Sequence, residues 1–160
     1  MFYNRECFDE PIEPTDGVDV QETDNERVVM DVLVAIERRE LEHLAQLYHP
    51  EVWFEWPPGL PYSGRFQGAS VGEMSARFAS VWEELQPTDG ERRLDAYVVA
   101  SHLSTVVVHY TLKGVSRAGQ RFETEILARY EVRDGLFAGA QMFHFDLQGL
   151  IAFLEAAAHA

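Results

Sequence analysis

Residues 122–133 alternate in chemical character with a period of two. Phe122, Thr124, Ile126, Ala128, Tyr130 and Val132 share one face, while Arg121, Glu123, Glu125, Arg129, Glu131 and Arg133 share the other, with Leu127 the exception. Side chains of a strand point to opposite sides in turn, so this pattern marks a long strand with one face on a core and one toward water. Strands are predicted near 92–101, 103–115, 120–133 and 136–145, with turns at Arg117-Ala118-Gly119 and Asp134-Gly135. A run of this kind is a meandering antiparallel sheet, and its apolar face needs a cover.

Helices supply the cover. Thr23-Asp24-Asn25-Glu26 has the form of a capping box, and Val29, Val32, Leu33 and Ile36 follow at helical spacing. The polar run Glu37-Arg38-Arg39-Glu40 is a place to bend. Leu41, Leu44, Leu47 and Tyr48 resume the stripe until His49-Pro50 stops it. Val52–Trp56 reads as a short aromatic strand, and the Pro- and Gly-rich stretch 57–64 as a loop. Ser70-Val71-Gly72-Glu73 is a second capping-box string ahead of a stripe from Val71 to Leu85. Asp146 is placed to cap a last helix, Leu147 to about Ala158. Helices segregated onto one face of an antiparallel sheet give an α+β domain. A curved sheet wrapped around the long first helix forms a cone whose mouth can hold a small molecule.

Charge narrows the function. Lys plus Arg number 13 and Asp plus Glu 27, a net charge of −14. Nucleic acid and anionic lipid both need cationic surface, so neither is an expected partner. Half of that charge sits in residues 1–24, which hold eight acids and one base, broken by Pro11, Pro14 and Gly17. We divide the chain into an acidic arm, residues 1–23, which composition favours as solvated and poorly ordered, and one domain, residues 24–160. An alternative use of the arm is to cover a partner subunit through Phe2, Tyr3 and Phe8. No apolar run is long enough to span a membrane, Cys7 has no partner for a disulfide, and the first residues lack a signal-peptide pattern; a cytoplasmic protein is expected.

The strings Leu47-Tyr48-His49-Pro50-Glu51-Val52, Phe54-Glu55-Trp56-Pro57, Gly64-Arg65, Asp134-Gly135 and Phe145-Asp146-Leu147, in this element order, resemble the SnoaL-like or NTF2-like superfamily over about residues 24–158. That superfamily includes polyketide cyclases, ketosteroid isomerases, limonene epoxide hydrolases and scytalone dehydratases. The resemblance implies an NTF2-like cone and a homodimer through the outer face of the sheet. It also maps the catalytic groups of relatives onto this chain. The general-base Asp of the ketosteroid isomerases falls on Trp56, their helical Tyr on Val32 and their second Asp near Ala128. The Asp–Arg–Asp set of limonene epoxide hydrolases falls on Thr111, His109, and Phe143 or Met142. The acids of both sets are missing, which argues against either chemistry.

His109 and Glu55 remain as candidate catalytic groups. An unperturbed imidazole titrates near pH 6.5 and serves as base or acid at neutral pH. A two-residue turn between the strands at 103–115 and 120–133 would place His109 and Thr111 inside with Thr124, Ile126 and Ala128, as the family pattern favours. A three-residue turn with Gly119 as a bulge would place His109 beside Glu125 on the outer face, and apolar pairing of Val106, Val108, Tyr110 and Leu112 favours that one. In the first register those four residues would form the dimer patch. Glu55 would gain a raised pKa if it turned into the aromatic surround, whereas simple alternation turns it out. Trp56, Tyr62, Thr111, Tyr130, Phe143 and Phe54 are the candidate substrate-binding residues, with Trp56 and Tyr62 flanking the loop. The histidines show no metal-ligand spacing, and no nucleotide-binding or Ser-triad motif occurs, so no cofactor or metal is expected. The reading is a SnoaL-like enzyme that moves a proton next to a carbonyl of a flat apolar substrate, of cyclase, isomerase or dehydratase type. The alternatives are a non-catalytic small-molecule binding module and a structural subunit of a larger assembly.

Overall fold

A computed structural model of the chain describes residues 23–159. The acidic arm lies outside the described residues except for Thr23. Helix α1 (Asp24–Arg38) opens on the expected capping box: the Glu26 N–H donates to Thr23 Oγ1 at 3.2 Å and the Thr23 N–H to the Glu26 carboxylate at 3.0 Å. The bend expected at 37–40 is a full break. Arg39 adopts a left-handed backbone, φ 57°, and its N–H closes on the Ala35 and Ile36 carbonyls, after which α2 (Leu41–Leu47) starts afresh.

Strand β1 (Tyr48–Trp56) begins earlier than the aromatic run suggested. Pro50 has no N–H to give, and the ladder shifts register between Tyr48 and Trp53. A short strand, β2 (Gly64–Gln67), which the sequence reading left unassigned beyond the loop at 57–64, pairs with β1. Helix α3 (Val71–Leu85) follows a single 3-10 turn. The second capping box does not form: Ser70 Oγ accepts from the Gln67 N–H at 2.8 Å, and Glu73 instead pairs with Arg77. One further turn of helix, α4 (Asp89–Arg92), precedes β3 (Tyr97–His102), β4 (Thr105–Val115), β5 (Arg121–Arg133), β6 (Leu136–His144) and α5 (Leu147–Ala158).

The six strands form one curved, open sheet in the order β2-β1-β6-β5-β4-β3. All neighbours are antiparallel except β1 and β6, which run parallel. The helices pack on one face. Val29, Val32 and Leu33 of α1, Met74 and Trp82 of α3, and Leu150 and Phe153 of α5 bury against Val106, Val108, Tyr110 and Leu112 of β4 and Ile126, Ala128, Tyr130 and Val132 of β5. The fold is thus the α+β cone expected from the element order.

The β4–β5 hairpin decides which residues face inward. Val115 pairs with Arg121, the Ser116 N–H donates to the Gln120 carbonyl at 2.8 Å, and the Gly119 N–H returns to the Ser116 carbonyl at 2.8 Å. Arg117-Ala118-Gly119 is therefore a three-residue loop, with Gly119 at φ +81° supplying the left-handed position. The register implied by the family pattern is thereby corrected: His109 pairs with Leu127 on the outer face. The physical reason is burial. This register puts Val106, Val108, Tyr110 and Leu112 in the core, and each such side chain is worth about 1.5–3 kcal/mol relative to exposure.

Candidate functional site

Inside the cone, near the C-terminal ends of β1 and β6, aromatic rings meet in a chain. Trp56 stands edge-on to Tyr62 with centroids 4.9 Å apart and stacks on Phe78 at 5.4 Å. Tyr62 meets Phe78 at 5.0 Å, and Phe78 meets Trp82 at 6.1 Å. Their positions follow from simple rules. Phe54 and Trp56 are two apart on β1 and share its inner face. Phe78 and Trp82 are four apart on α3 and share one stripe. Tyr62 is carried in by the 57–63 loop and is fully buried.

His144, at the end of β6, belongs to the same wall. It pairs with Ile126, which is inward, and its ring lies 6.4 Å from that of Trp56. Both imidazole nitrogens are buried and neither has a hydrogen-bond partner. Burial disfavours the charged form and holds the His144 pKa down at about 4. Trp56 Nε1 is likewise buried and unpartnered. Most buried polar groups of folded proteins are paired, and each orphan costs about 1–3 kcal/mol. Three orphaned nitrogens on two adjacent rings mark a place where something else can bind. Tyr62 adds a donor: its oxygen accepts from Trp82 Nε1 at 3.0 Å, which leaves its own O–H proton free to give. Deeper in, Tyr110 and Tyr130 are buried, and burial raises both phenols above their ordinary range.

The residues singled out from sequence divide between the two faces. Trp56, Tyr62, Phe54 and Tyr130 point into the cone, with Phe54 and Tyr130 part of the packed core. His109, Thr111, Phe143 and Glu55 do not. His109 stacks on Tyr97 at 4.9 Å, lies 3.5 Å from the Glu125 carboxylate and is 14% exposed on the outer face. Thr111 follows it outward and is partly buried, its N–H held by the Leu94 carbonyl. Phe143 is outward by its pairing with Leu127 and about half exposed. Glu55 obeys the alternation of β1 and bonds Arg65 and Gln141 on the outer surface.

Sequence reading turned His144 outward beside Asp146; its pairing with the buried Ile126 corrects this, and periodicity offered no signal for it. Met142 and His144 alternate with Phe143 and Phe145, so either set could be the inner one until pairing with β5 chooses. The open chamber expected at the cone's mouth is also replaced by rings in mutual contact. Two grooves of about 340 and 440 Å³ lie elsewhere, the first around Lys113, Arg121 and Phe122, the second around Arg38, Arg92 and Arg93; neither touches Trp56, Tyr62 or His144. Among the described residues no cluster of His, Cys, Asp and Glu is arranged to hold a metal, and no helix is long and apolar enough to cross a membrane.

Comparison with known proteins places this geometry in a family. Residues 29–140 match the SnoaL-like domain. The matched stretch includes Trp56 and Tyr62 but stops short of His144 and α5. No curated protein matches the chain. Among solved structures, a protein with a cystatin-like fold from Xanthomonas campestris is similar with a TM-score of 0.69 at 20% identity, covering 82% of this chain and 98% of that one. A candidate polyketide cyclase from Xanthomonas campestris pv. campestris has a TM-score of 0.58 at 22% identity, covering 83% and 98%. AclR, a candidate hydroxylase from Streptomyces galilaeus, has a TM-score of 0.58 at 11% identity, covering 85% and 98%. At these identities the structures share the fold; the chemistry must be argued from the site.

Proposed function

The chain belongs to the SnoaL-like family, and from that premise we propose that it acts on a flat, mostly apolar carbonyl compound by moving a proton next to the carbonyl. The observation that carries the reading is the trio of buried, unpartnered nitrogens on His144 and Trp56 within an aromatic wall. His144 takes the place first given to His109. Its ring is neutral at pH 7, so it can accept the proton from the carbon beside the carbonyl. The electron pair moves onto the carbonyl oxygen, and Trp56 Nε1 and the Tyr62 hydroxyl are the donors available to the oxyanion. The imidazolium and the oxyanion then form together, which makes an otherwise unfavourable buried charge tolerable. Collapse toward ring closure, isomerisation or loss of water shares this first step.

The test is turnover of a panel of hydroxyaryl and polyketide-like ketones by the wild type and His144→Gln. Loss of a general base lowers kcat about 10²–10⁴-fold. Unchanged turnover by His144→Gln removes the mechanism. A carrier without turnover is the second reading, favoured by the apolar residues Trp56, Val32 and Ala128 at positions where relatives hold reacting groups. It is supported if native mass spectrometry finds an unchanged compound bound and no panel member is converted.

We also propose a homodimer through the outer face of the sheet. The patch is not the Val106–Leu112 set, which is core. It is the row Tyr97–His109–Leu127–Phe143, in register across β3, β4, β5 and β6, with Phe145 beside it. Tyr97 and Phe145 are 55% and 63% exposed, unusual for such side chains on one surface. Glu125 and Arg129 flank the row with opposite signs, so a two-fold pairing can match charge with charge.

A further inference from the structure

The wall that carries Trp56 and Tyr62 is built at the two ends of one loop. Residues 57–63 leave β1 directly after Trp56, which stays in the ladder opposite Gly64, and they carry Tyr62, so the loop cannot move without moving the Tyr62 ring. Its middle rests on α5. A Cβ at Gly59 would lie 2.6 Å from Ile151 Cδ1 and 3.5 Å from Ile151 Cγ1. Leu60 is buried, and the Ser63 N–H closes a turn on the Leu60 carbonyl at 3.0 Å. Gly59 at φ +95° and Gly64 at φ +115° bracket the segment with backbone that side chains rarely adopt. Helix α5 is anchored at its start, where Asp146 accepts from the Gly149 N–H at 2.8 Å, and by the stack of Phe153 on Phe122 at 5.1 Å. Ile151 itself is only partly buried.

Next to Tyr62 lies Trp56, and next to Trp56 lies His144, whose ring nitrogens, like Trp56 Nε1, are buried without a protein hydrogen-bond partner. A ligand reaching them must part something, and the middle of the loop meets α5 through a glycine against a single aliphatic side chain. We infer that the 57–63 loop is a hinged cover latched on Ile151, and that His144 becomes reachable when Gly59 lifts from α5. Opening swings Tyr62 away from Trp56, Phe78 and its Trp82 hydrogen bond and frees ring-sized space; closing returns its hydroxyl to the occupant beside Trp56. The inference shares His144 with the catalytic reading but concerns access, and it stands whether or not the occupant is converted.

The experiment reads access without a ligand. Diethyl pyrocarbonate acylates neutral imidazoles, and mass spectrometry resolves the rate at each histidine at pH 7, with the exposed His43 and His102 as internal references. In a Cys7→Ser background, Gly59→Cys with Ile151→Cys places a sulfur near the Cγ1 position, within reach of a disulfide whose Cβ atoms sit about 3.8 Å apart. Oxidation is expected to slow acylation of His144 at least tenfold, with recovery on reduction and no change at His43 or His102. Equal His144 rates in the oxidised and reduced forms overturn the inference. Ile151→Ala removes the latch without demanding a side chain at Gly59; it is expected to speed His144 acylation severalfold, and a rate equal to wild type also overturns the inference. If turnover is later found absent while the latch behaves as described, the catalytic reading falls and the cover remains.

Discussion

His144 shows how one side chain can carry a stability effect and a functional one. Its folded pKa of about 4 lies below the ordinary imidazole value. Between those two values the unfolded chain holds the proton and the folded chain does not, so stability present above pH 6.5 is lost as pH falls toward 4. His144→Phe, which cannot take up a proton, is expected to flatten that part of the profile. The check is thermal melting of both proteins at pH 7.5 and pH 5.5, where wild type should lose more melting temperature than the variant on going to the lower pH. A constant gap would mean that the imidazole is hydrated in solution. The catalytic counterpart is a kcat that falls on the acid side as His144 gains its proton, and Trp56→Phe, which keeps the ring and removes only the N–H, should cost about 10²–10³ in kcat if that donor meets the oxyanion.

At the scale of single elements, close backbone approaches set the packing. Gly139 of β6 lies flat beneath the Trp53 indole, where even a methyl group would overlap the ring. Trp53 cannot retreat, because Arg65 stacks over it at 4.5 Å and its Nε1 donates to Glu131. Gly139→Ala is expected to destabilise by about 1–3 kcal/mol, read as a lower urea midpoint. The cap of α1 is a gentler case. Thr23→Ala removes the acceptor for the Glu26 N–H, and about 1 kcal/mol should be lost. Glu26 also holds Ser101 of β3, and that hydrogen bond, with those from Thr23, keeps its carboxyl below the usual range. The first helix is thus tied to the sheet's edge strand. These ties were partly legible: the Thr23–Glu26 box is written in four consecutive residues, whereas Ser101 and Glu26 are 75 positions apart.

For the whole molecule, the outer face is the main unassigned surface. Phe143→Asp together with Phe145→Asp is expected to convert a dimer to monomer in sedimentation at micromolar concentration, with the core untouched because both side chains point away from it. A wild type that sediments only as monomer removes the proposal. The amino-acid sequence by itself determined the class of fold. A period of two in 122–133, a period near 3.6 in 24–36 and 71–85, the helix stop ahead of Pro50 and the cap at Asp146 follow from local sterics and local hydrogen bonding, which need no distant partner. The hairpin register, and with it the exile of His109 from the interior, was left balanced between two turns, because a slip of one residue exchanges the faces and each alternative had local support. Tertiary packing broke the tie by burying Val106, Val108, Tyr110 and Leu112. It likewise drew His144 against Trp56, although the two lie 88 residues apart and on parallel strands whose neighbourhood no local pattern records. Elements are set by interactions a few residues long; a site is set by which faces meet, and that is decided only when the whole apolar surface is buried at once.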